Sequence, residues 1–281
     1  MTSTVPSAVS TSLTTIASIL AAMAVVALIE AAIPLHPRGQ GNRAHLGPNL
    51  ALTFVTFATN MVFNAGVVVT LVWLQARGVG LLHWFSLPPL LTGAVVLVVL
   101  DFSFYVAHTA MHASPALWRV HSVHHSDWAV DVTTTIRQHP GEGVVRYVFM
   151  GAFAFALGAP PDAFGVYRLV SVLSGLLNHA NIRVPRRLDT VLSLVLGTPN
   201  MHKVHHSRAK HQTNTNYGTI FSLFDRIFGT FTPTAQGVSV VYGLNGFDDP
   251  ATQSTRGLLG IPFRRGSASG GTPVPAQDVA V

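Results

Sequence analysis

The stretch "VVLDFSFYVAHTAMHASPALWRVHSVHH" (residues 98–125) joins the end of an apolar segment to five histidines. Asp101, Tyr105, His108 and His112 fall at i, i+4, i+7 and i+11, which is one face of an α-helix. Burying polar groups on an apolar helix is costly unless each finds a partner, so this face predicts a functional site. For this helix alone, the alternative is a helix end whose histidines are solvated at the membrane surface.

The composition indicates a membrane protein. Of 281 residues, 49% are apolar and only 10% are charged, and the mean hydropathy is +0.43. There is no cysteine, so any metal must be held by nitrogen or oxygen ligands. The net charge of +6 does not indicate nucleic-acid binding, because only three of the seventeen Lys and Arg residues precede His108 and no basic stripe is interleaved with aromatics.

Two segments are long and apolar enough to cross a bilayer as helices, and a third continues the apolar pattern until its first charge. Residues 13–35 carry only one charge, residues 50–76 carry none, and residues 87–100 remain uncharged up to Asp101. The uncharged segment 1–12 lacks the basic stretch of a secretory signal, so we expect a retained first span after a disordered N-terminus.

A fourth hydrophobic region is split at "APPD" (159–162) into 147–158 and 163–177. Each half is short for a span, so the region either forms a hairpin that enters and leaves the membrane or crosses it twice. We therefore predict an all-α membrane protein with about three transmembrane helices and a split helical hairpin. A single membrane-embedded domain is expected over 13–265, followed by a disordered tail over 266–281.

The distribution of Lys and Arg predicts the orientation. Arg38 and Arg43 lie between the first two spans and fourteen basic residues follow His108, whereas the N-terminus has none. The positive-inside rule then places the N-terminus outside and the histidines in the cytoplasm.

Two further histidine triplets share one spacing. "HSVHH" (121–125) and "HKVHH" (202–206) both place histidines at i, i+3 and i+4, which we expect to converge on one side of a helix. His179 in "NHAN" is a further candidate. Eight or nine imidazoles are too many for one ion and enough for two. Imidazole suits iron, copper, nickel and zinc, so the ligand type leaves the metal open.

Neutral imidazoles do not compensate the charge of two divalent ions, so an anionic group is expected nearby. Asp101 is the best candidate to accept a ring N–H and orient a ligand, and Tyr105 shares its helix face. Asp127, Asp131 and Glu142 are weaker candidates. His139, which precedes a proline in "RQHPGE", is expected to be a supporting or fold-forming residue.

Other chemistries lack their signatures. The sequence contains no HExxH, no G-x-S-x-G, no P-loop and no G-x-G-x-x-G motif. His36, His45, His83 and His211 stand apart from the clusters and are expected to lie outside the site. A histidine-rich site for more than one metal ion at a membrane surface remains.

The order of "DFSFYVAHTAMH", "HSVHHS", "RQHPGE", "NHAN" and "TPNMHKVHHSRAKHQTNTNYGTIFSLFDRIFGTF" resembles the fatty acid hydroxylase and sterol desaturase superfamily of integral membrane di-iron enzymes, over about residues 90–232. The resemblance implies transmembrane helices that carry a cytosolic helical cap, with two irons above a lipid channel. It also implies nine metal ligands, namely His108, His112, His121, His124, His125, His179, His202, His205 and His206. Two positions depart from the pattern: Thr109 stands where many members have Arg, and Arg183 where some have a further histidine.

The resemblance predicts hydroxylation or desaturation of a membrane lipid, such as a fatty acid or a sterol, with O2 as co-substrate. Electrons would come from a ferredoxin, or from cytochrome b5 with its reductase. The membrane would be the plasma membrane in a bacterium and the endoplasmic reticulum in a eukaryote. A basic face would dock an acidic donor, or would simply reflect positive-inside bias; its residues are Arg183, Arg186, Arg187, Lys203, Arg208 and Lys210.

Two other functions compete with this prediction. A divalent-metal transporter would place its ligands near mid-membrane at a repeat interface, whereas these clusters lie at a helix end and in polar segments. The second is a catalytically inactive membrane scaffold stabilised by metal.

Overall fold

The computed structural model describes residues 4–36 and 43–264, and this part of the chain is helical with no β-strand. Its α-helices are α1 (Thr4–Ala32), α2 (Leu46–Arg77), α3 (Pro89–Ala113), α4 (Pro115–His125), α5 (Pro140–Leu157), α6 (Pro161–His179), α7 (Arg186–Leu192), α8 (Pro199–His205), α9 (Lys210–Thr213), α10 (Leu223–Ile227) and α11 (Thr255–Gly260). Short 3₁₀ turns cover Leu81–Trp84, Val132–Ile136, Thr234–Val238 and Ile261–Phe263.

The three predicted spans are confirmed as α1, α2 and α3. The apolar stretches that could cross a membrane are Thr14–Ala32, Leu46–Trp84 and Pro89–Ala113. In their most apolar windows only 22%, 17% and 33% of the residues are buried inside the protein. Most of these apolar side chains therefore face outward, as expected for helices surrounded by lipid. The chain is an all-α membrane protein.

The N-terminal segment differs from the prediction. Residues 4–12, expected to be disordered, begin α1. The segment has no glycine and no charge, and Pro6 lies in the first turn, where its missing N–H costs no helical hydrogen bond. Extending an existing helix adds one hydrogen bond per residue, so the segment continues the apolar helix that follows it. The tail over 266–281 lies outside the described residues.

Proline and glycine mark the helix boundaries of the hairpin formed by α5 and α6. Pro140 and Pro161 occupy the first helical positions, where a fixed φ favours the helix. Gly158 ends α5 with φ +62°, a left-handed conformation that other residues adopt only at a cost.

The tip of this hairpin packs against the connection between α2 and α3. A Cβ on Gly80 would lie 2.3 Å from the backbone of Gly158, and a Cβ on Gly158 would lie 2.5 Å from the carbonyl oxygen of Val79. Two facing glycines thus allow a backbone approach that side chains would prevent. Because α5 starts beside the histidines and ends at this contact, the hairpin runs along the bundle to the end opposite the histidines.

The bundle core lies between α2, α3, α5 and α6, with Leu71, Leu100, Ala154 and Phe164 almost completely buried. At the other end of the bundle, hydrogen bonds connect the membrane helices to the polar segments that follow α3, which we call the cap. Glu30 at the end of α1 accepts hydrogen bonds of 2.8 Å from the backbone nitrogens of Val132 and Asn181. The ends of α1 and α3 and the start of α2 therefore lie on one side, where the histidines are found.

Candidate metal centre

All nine histidines implied by the resemblance come together in two neighbouring groups that could hold metal ions. Within each group the candidate ligand atoms lie within 4.8 Å of one another. The first group is His108, His112, His121, His125 and His205, and the second is His124, His179, His202 and His206. They are supplied by α3, α4, α6 and α8, with His206 directly after α8.

Each histidine triplet contributes to both groups, which corrects the expectation that a triplet converges on one side. His121 and His125 enter the first group while His124 enters the second. In the other triplet, His205 enters the first group, whereas His202 and His206 enter the second. The reason is helical geometry: residues i and i+4 share a face, while residue i+3 is rotated by about 100° from residue i+4. The helices α4 and α8 therefore lie between the two groups and serve both.

The imidazoles of the first group are held by oxygen atoms on their outer nitrogens. The Nδ1 atoms of His108 and His205 donate to the backbone carbonyls of Tyr217 and Thr215, both at 2.8 Å. His112 Nδ1 lies 3.2 Å from Asn214 Oδ1. A proton on Nδ1 leaves the lone pair on Nε2, so these contacts point the lone pairs of the imidazoles inward.

A fourth member of the first group, His125, is held in the same way. His125 Nδ1 lies 3.3 Å from the hydroxyl of Thr213, which gives its own proton to the carbonyl of His205 at 2.7 Å. The segment 213–217, "TNTNY", thus positions four of the five rings. Sequence reasoning assigned it no role, although a polar run so close to the third histidine cluster is a usable signal.

Buried ring nitrogens without a hydrogen-bond partner indicate that the first group can bind a ligand. Among the described residues, Nε2 of His112, His125 and His205 is buried and makes no hydrogen bond. Leaving a buried polar atom unpaired costs about 1–3 kcal/mol, so three such atoms in one group are expected only where something else completes them. A metal ion fits, because each atom offers the lone pair that a metal requires.

The second group leads to the same conclusion by another route. His179 Nδ1 lies 2.8 Å from the carbonyl oxygen of Gly175, which places the proton there. His179 Nε2 then has a single lone pair, yet it lies 3.0–3.1 Å from the Nε2 atoms of His124, His202 and His206. One lone pair cannot satisfy three neighbours. Two nitrogens bound at about 2.1 Å and at right angles on one metal ion are about 3.0 Å apart, so the observed spacing fits ligands of a single ion.

Burial keeps these imidazoles in the neutral form that binds metals. Desolvation, with repulsion from neighbouring imidazoles, lowers the pKa of His124, His125, His202 and His206 well below the usual value. Burial lowers the pKa of His205 to about 3. The rings are therefore unprotonated at neutral pH without any metal, and the site does not have to lose protons from them to bind an ion.

The carboxylate nearest the histidines is Glu142, rather than Asp101 as predicted. Glu142 Oε2 lies 3.2 Å from His121 Nδ1, and both side chains are buried. Asp101 instead accepts hydrogen bonds from the backbone nitrogens of Ile220 and Phe221, at 3.2 and 2.9 Å. Asp101 lies about two helical turns from His108, so its carboxylate reaches the loop after "TNTNY" and not the rings.

Tyr105 and His139 also have structural contacts outside the two groups. Tyr105 shares a hydrogen bond of 2.9 Å with Thr230, and its ring packs edge-on against Tyr217. His139 precedes α5 and accepts a hydrogen bond of 3.0 Å from the backbone nitrogen of Gly141, so it caps that helix. The expectation of a fold-forming role for His139 agrees with this contact.

Asp127 and Asp131 lie in a separate buried network with His45, which lies outside both histidine groups as expected. His45 Nδ1 lies 3.0 Å from Asp127 Oδ1, and Asp127 also accepts from Asn49 at 2.8 Å. Arg137 is completely buried beside them and donates to Asn49 at 2.7 Å. The network joins the start of α2 to the cap, and the charge of Arg137 contributes to holding the pKa of Asp127 far below its usual value, against the effect of burial.

The two departures from the family pattern lie outside the site. Thr109 donates to the carbonyl of Val106 at 2.9 Å within its own helix. Arg183 is exposed, and its backbone nitrogen bonds to Ile33. Lys203 does not belong to the predicted basic face, because it is buried and donates to the carbonyl of Ala180 at 2.6 Å. Burial lowers the pKa of Lys203 to about 7.

A cavity of about 640 Å³ leads from the histidines into the bundle. Members of both groups line its inner end, among them His108, His121, His124, His179 and His202. The part of the cavity away from the histidines is lined by apolar side chains of α1, α2 and α6, such as Ile16, Val69 and Val172. Val69 is 69% exposed on the outer surface of α2, so the cavity adjoins the surface that faces lipid.

The fold and the site thus define a membrane protein with a buried double cluster of histidines at the end of a lipid-facing cavity. The fatty acid hydroxylase family model matches residues 93–230. The chain belongs to the fatty acid hydroxylase and sterol desaturase superfamily.

Similarity to individual proteins supports this membership. Ornithine lipid hydroxylase OlsE of Rhizobium tropici is 33% identical over 150 residues, which are 53% of this chain and 44% of the relative. Alkylglycerol monooxygenase of Danio rerio is 30% identical over 209 residues, 70% of this chain and 44% of the relative. The same enzyme of Caenorhabditis elegans is 32% identical over 146 residues, 51% of this chain and 28% of the relative. The matched region therefore covers less than half of each relative. No solved structure matches the chain.

Proposed function

We propose that this protein is an oxidoreductase that hydroxylates a membrane lipid with O2 at a histidine-bound pair of iron ions. The carrying observation is that both histidine groups line the end of a cavity that adjoins lipid, the first with unpaired buried ring nitrogens and the second with four ring nitrogens crowded together. The relatives named as a lipid hydroxylase and a monooxygenase favour hydroxylation over desaturation.

The proposed reaction balances with external electrons. A C–H bond and O2, with two electrons and two protons, give C–OH and water. A pair of iron ions, when bound, would activate O2 by reduction, so that an unactivated C–H bond can be oxidised. The first group would hold one ion and the second group the other, because each group alone has the four or five nitrogens that such an ion takes.

The residues of this chain would position the substrate and exclude water. Walls formed by α2, α3, α5 and α6 would keep the lipid within reach of the histidines, and the contacts with "TNTNY" would hold the rings in one orientation. Holding a substrate carbon next to the reacting centre replaces a bimolecular encounter by a positioned one, which is a large part of the rate enhancement in such enzymes.

The electron donor would dock on the cap. Arg186, Arg187 and Lys210 are exposed there and would attract an acidic ferredoxin or cytochrome b5. The positive-inside rule favours a cytoplasmic location for this face and for the site.

The test uses the full chain, purified from membranes and loaded with ferrous iron. We expect iron in the protein, reductant-dependent O2 uptake, and membrane lipids that gain the mass of one oxygen in cells that express it. A His124→Ala variant would lose these activities, whereas His211→Ala, an exposed histidine outside both groups, would keep them. Absence of iron under all loading conditions, together with full activity of His124→Ala, would overturn the proposal.

The same material separates the two rival functions. A metal transporter would carry a divalent ion across liposomes, and a scaffold would bind metal without consuming O2. Metal flux that survives loss of the second triplet would favour the transporter. Tight metal binding with no O2 uptake by any reduced preparation would favour the scaffold.

A further inference from the structure

The part of the cavity directly below the histidines carries polar and charged side chains. Glu142, Arg146 and Tyr147 on α5, Arg168 on α6, and Asn60 on α2 all line it. With a rise of about 1.5 Å per residue, Arg146 lies about 6 Å further from the histidine end of α5 than Glu142 does. We call these five residues the polar chamber.

Several groups in the polar chamber have no protein partner. The hydroxyl of Tyr147, a residue only 6% exposed, is buried and makes no hydrogen bond among the described residues, and the same holds for Asn60 Oδ1. A lipid tail beside them would leave both atoms buried and unpaired, which is unfavourable. These atoms therefore indicate a ligand that is itself polar at this depth.

The charges in the polar chamber do not balance. Arg146 lies 3.7 Å from Glu142, which also faces His121, and its guanidinium stacks over the ring of Phe104 at 4.3 Å. Arg168 has no ion pair in the described part of the chain, and its closest partners are the sulfur of Met150 at 4.0 Å and the ring of Tyr147. Two cations against one shared carboxylate leave a positive excess.

A cation inside a bundle of membrane helices is costly, and such residues usually mark the binding of a substrate or ion. Aliphatic residues would fill this space at lower cost if the substrate presented only its chain here. Guanidinium groups bind carboxylate and phosphate through paired, charge-assisted hydrogen bonds.

We propose that the polar chamber binds the anionic head, a carboxylate or a phosphate, of the lipid that the enzyme oxidises. This inference rests on the proposed function and adds the substrate class to it. The lipid enters with its head toward the histidines, and its chain extends past Ile16, Val69 and Val172 toward the membrane. The carbon that reacts then lies in the head or within a few bonds of it, and not at the far end of the chain.

Binding to the metal-free protein tests the head without any need for activity. The full chain in neutral maltoside micelles is titrated with three probes that share one chain: dodecanoate, monododecyl phosphate and dodecanol. Because charge-assisted hydrogen bonds contribute about 1.5–3 kcal/mol, we expect at least one anion to bind roughly tenfold or more tightly than the alcohol. The two anions identify whether carboxylate or phosphate is preferred.

The variants separate charge from packing. Arg146→Gln/Arg168→Gln is expected to abolish the preference for the anion and to leave the affinity for dodecanol unchanged. Arg256→Gln, an exposed arginine on α11, is the matched control and keeps the preference. If the double variant does not fold, Arg168→Gln and Arg168→Lys replace it, and only the lysine variant is expected to retain a preference.

Equal binding of all three probes by the wild type, or a preference that survives Arg168→Gln and the double variant, overturns the inference. That outcome leaves the proposed hydroxylase function intact, because iron content and O2 uptake test the function separately. Conversely, head-selective binding by a protein that never consumes O2 would support the polar chamber and contradict the hydroxylase.

Discussion

Glu142 Oε2 lies 3.2 Å from His121 Nδ1 inside the protein, and the other oxygen of Glu142 faces Arg146 at 3.7 Å. One carboxylate thus links the first histidine group to the polar chamber. A carboxylate that faces a ligating imidazole fixes the orientation of the ring and raises its basicity. Glu142 is therefore expected to act on metal binding although it belongs to neither group.

Replacing Glu142 by glutamine is expected to weaken metal binding at the first group. The loss of such outer partners typically costs about 10–100-fold in affinity. The measurement is the iron that the protein retains during a graded challenge with a chelator. Asp162→Asn, an exposed carboxylate at the start of α6, is the matched control. Wild-type retention by Glu142→Gln would contradict this role.

Removing His205 is expected to empty the first group and to disturb the second. His205→Ala removes a proposed ligand and also leaves the carbonyl of Thr215 without the ring N–H that donates to it at 2.8 Å. We expect iron per chain to fall well below the wild-type value, as measured by elemental analysis of purified protein. His211→Ala keeps the wild-type content. Equal iron in both variants would exclude His205 as a ligand.

The metal-free protein is expected to lose stability as the pH falls. Burial lowers the pKa of His205 from 6.5 to about 3, so below pH 6.5 the unfolded chain takes up a proton that the folded chain refuses. Each histidine of this kind lowers the free energy of unfolding by up to about 1.4 kcal/mol per pH unit in that window. The thermal midpoint in detergent should therefore decrease from pH 7.5 to pH 5. A flat profile would show that the imidazoles are not buried and neutral.

Asp101 is expected to stabilise the fold without binding metal. Asp101→Ala leaves two backbone N–H groups without their acceptor, a buried one at Ile220 and a partly buried one at Phe221, and the buried one alone costs about 1–3 kcal/mol. Asp101→Asn keeps one oxygen and should be intermediate. Thermal unfolding of the metal-free variants checks the order. If a variant loses iron while its metal-free stability is unchanged, Asp101 contributes to metal binding after all.

Gly158→Ala is expected to destabilise the bundle at the hairpin tip. Alanine in the left-handed conformation costs about 1–2 kcal/mol, and its Cβ would also meet the carbonyl of Val79 at 2.5 Å. Gly93→Ala in α3 is the control, because nothing lies within 4 Å of its added Cβ. The thermal midpoints of the two variants are compared with that of the wild type. A Gly158→Ala protein as stable as Gly93→Ala would show that the tip does not pack as described.

Patterns along the sequence predicted the membrane helices and the identity of the nine histidines. Apolar length alone is sufficient for α1 and α2, because a bilayer requires about 20 apolar residues for each crossing. The uncharged run before Asp101 is shorter, and α3 continues past it to Ala113. Spacing within each triplet was also informative. The division of each triplet between two groups was not predicted, because it depends on where α3 and α6 approach α4 and α8.

The hydrogen-bond acceptors near the histidines show why the other contacts of the site could not be predicted. Asp101 shares a helix face with His108, yet its carboxylate accepts hydrogen bonds from a loop in a distant part of the chain. Glu142 was a weaker candidate because its contact with His121 arises only when α5 packs beside α4. Backbone carbonyls, such as those of Thr215 and Tyr217, leave no trace in residue identity. Contacts between distant segments are set by packing, which a single sequence does not display.

The sharing of α4 and α8 by both histidine groups has a consequence for metal loading. An ion that orders one group must fix the two helices that also carry the other group's ligands, so the conformational entropy is lost mainly at the first binding step. The second ion then binds to a site that is already organised. Titration with metal should be sigmoidal, and a protein carrying one ion should be rare at every concentration.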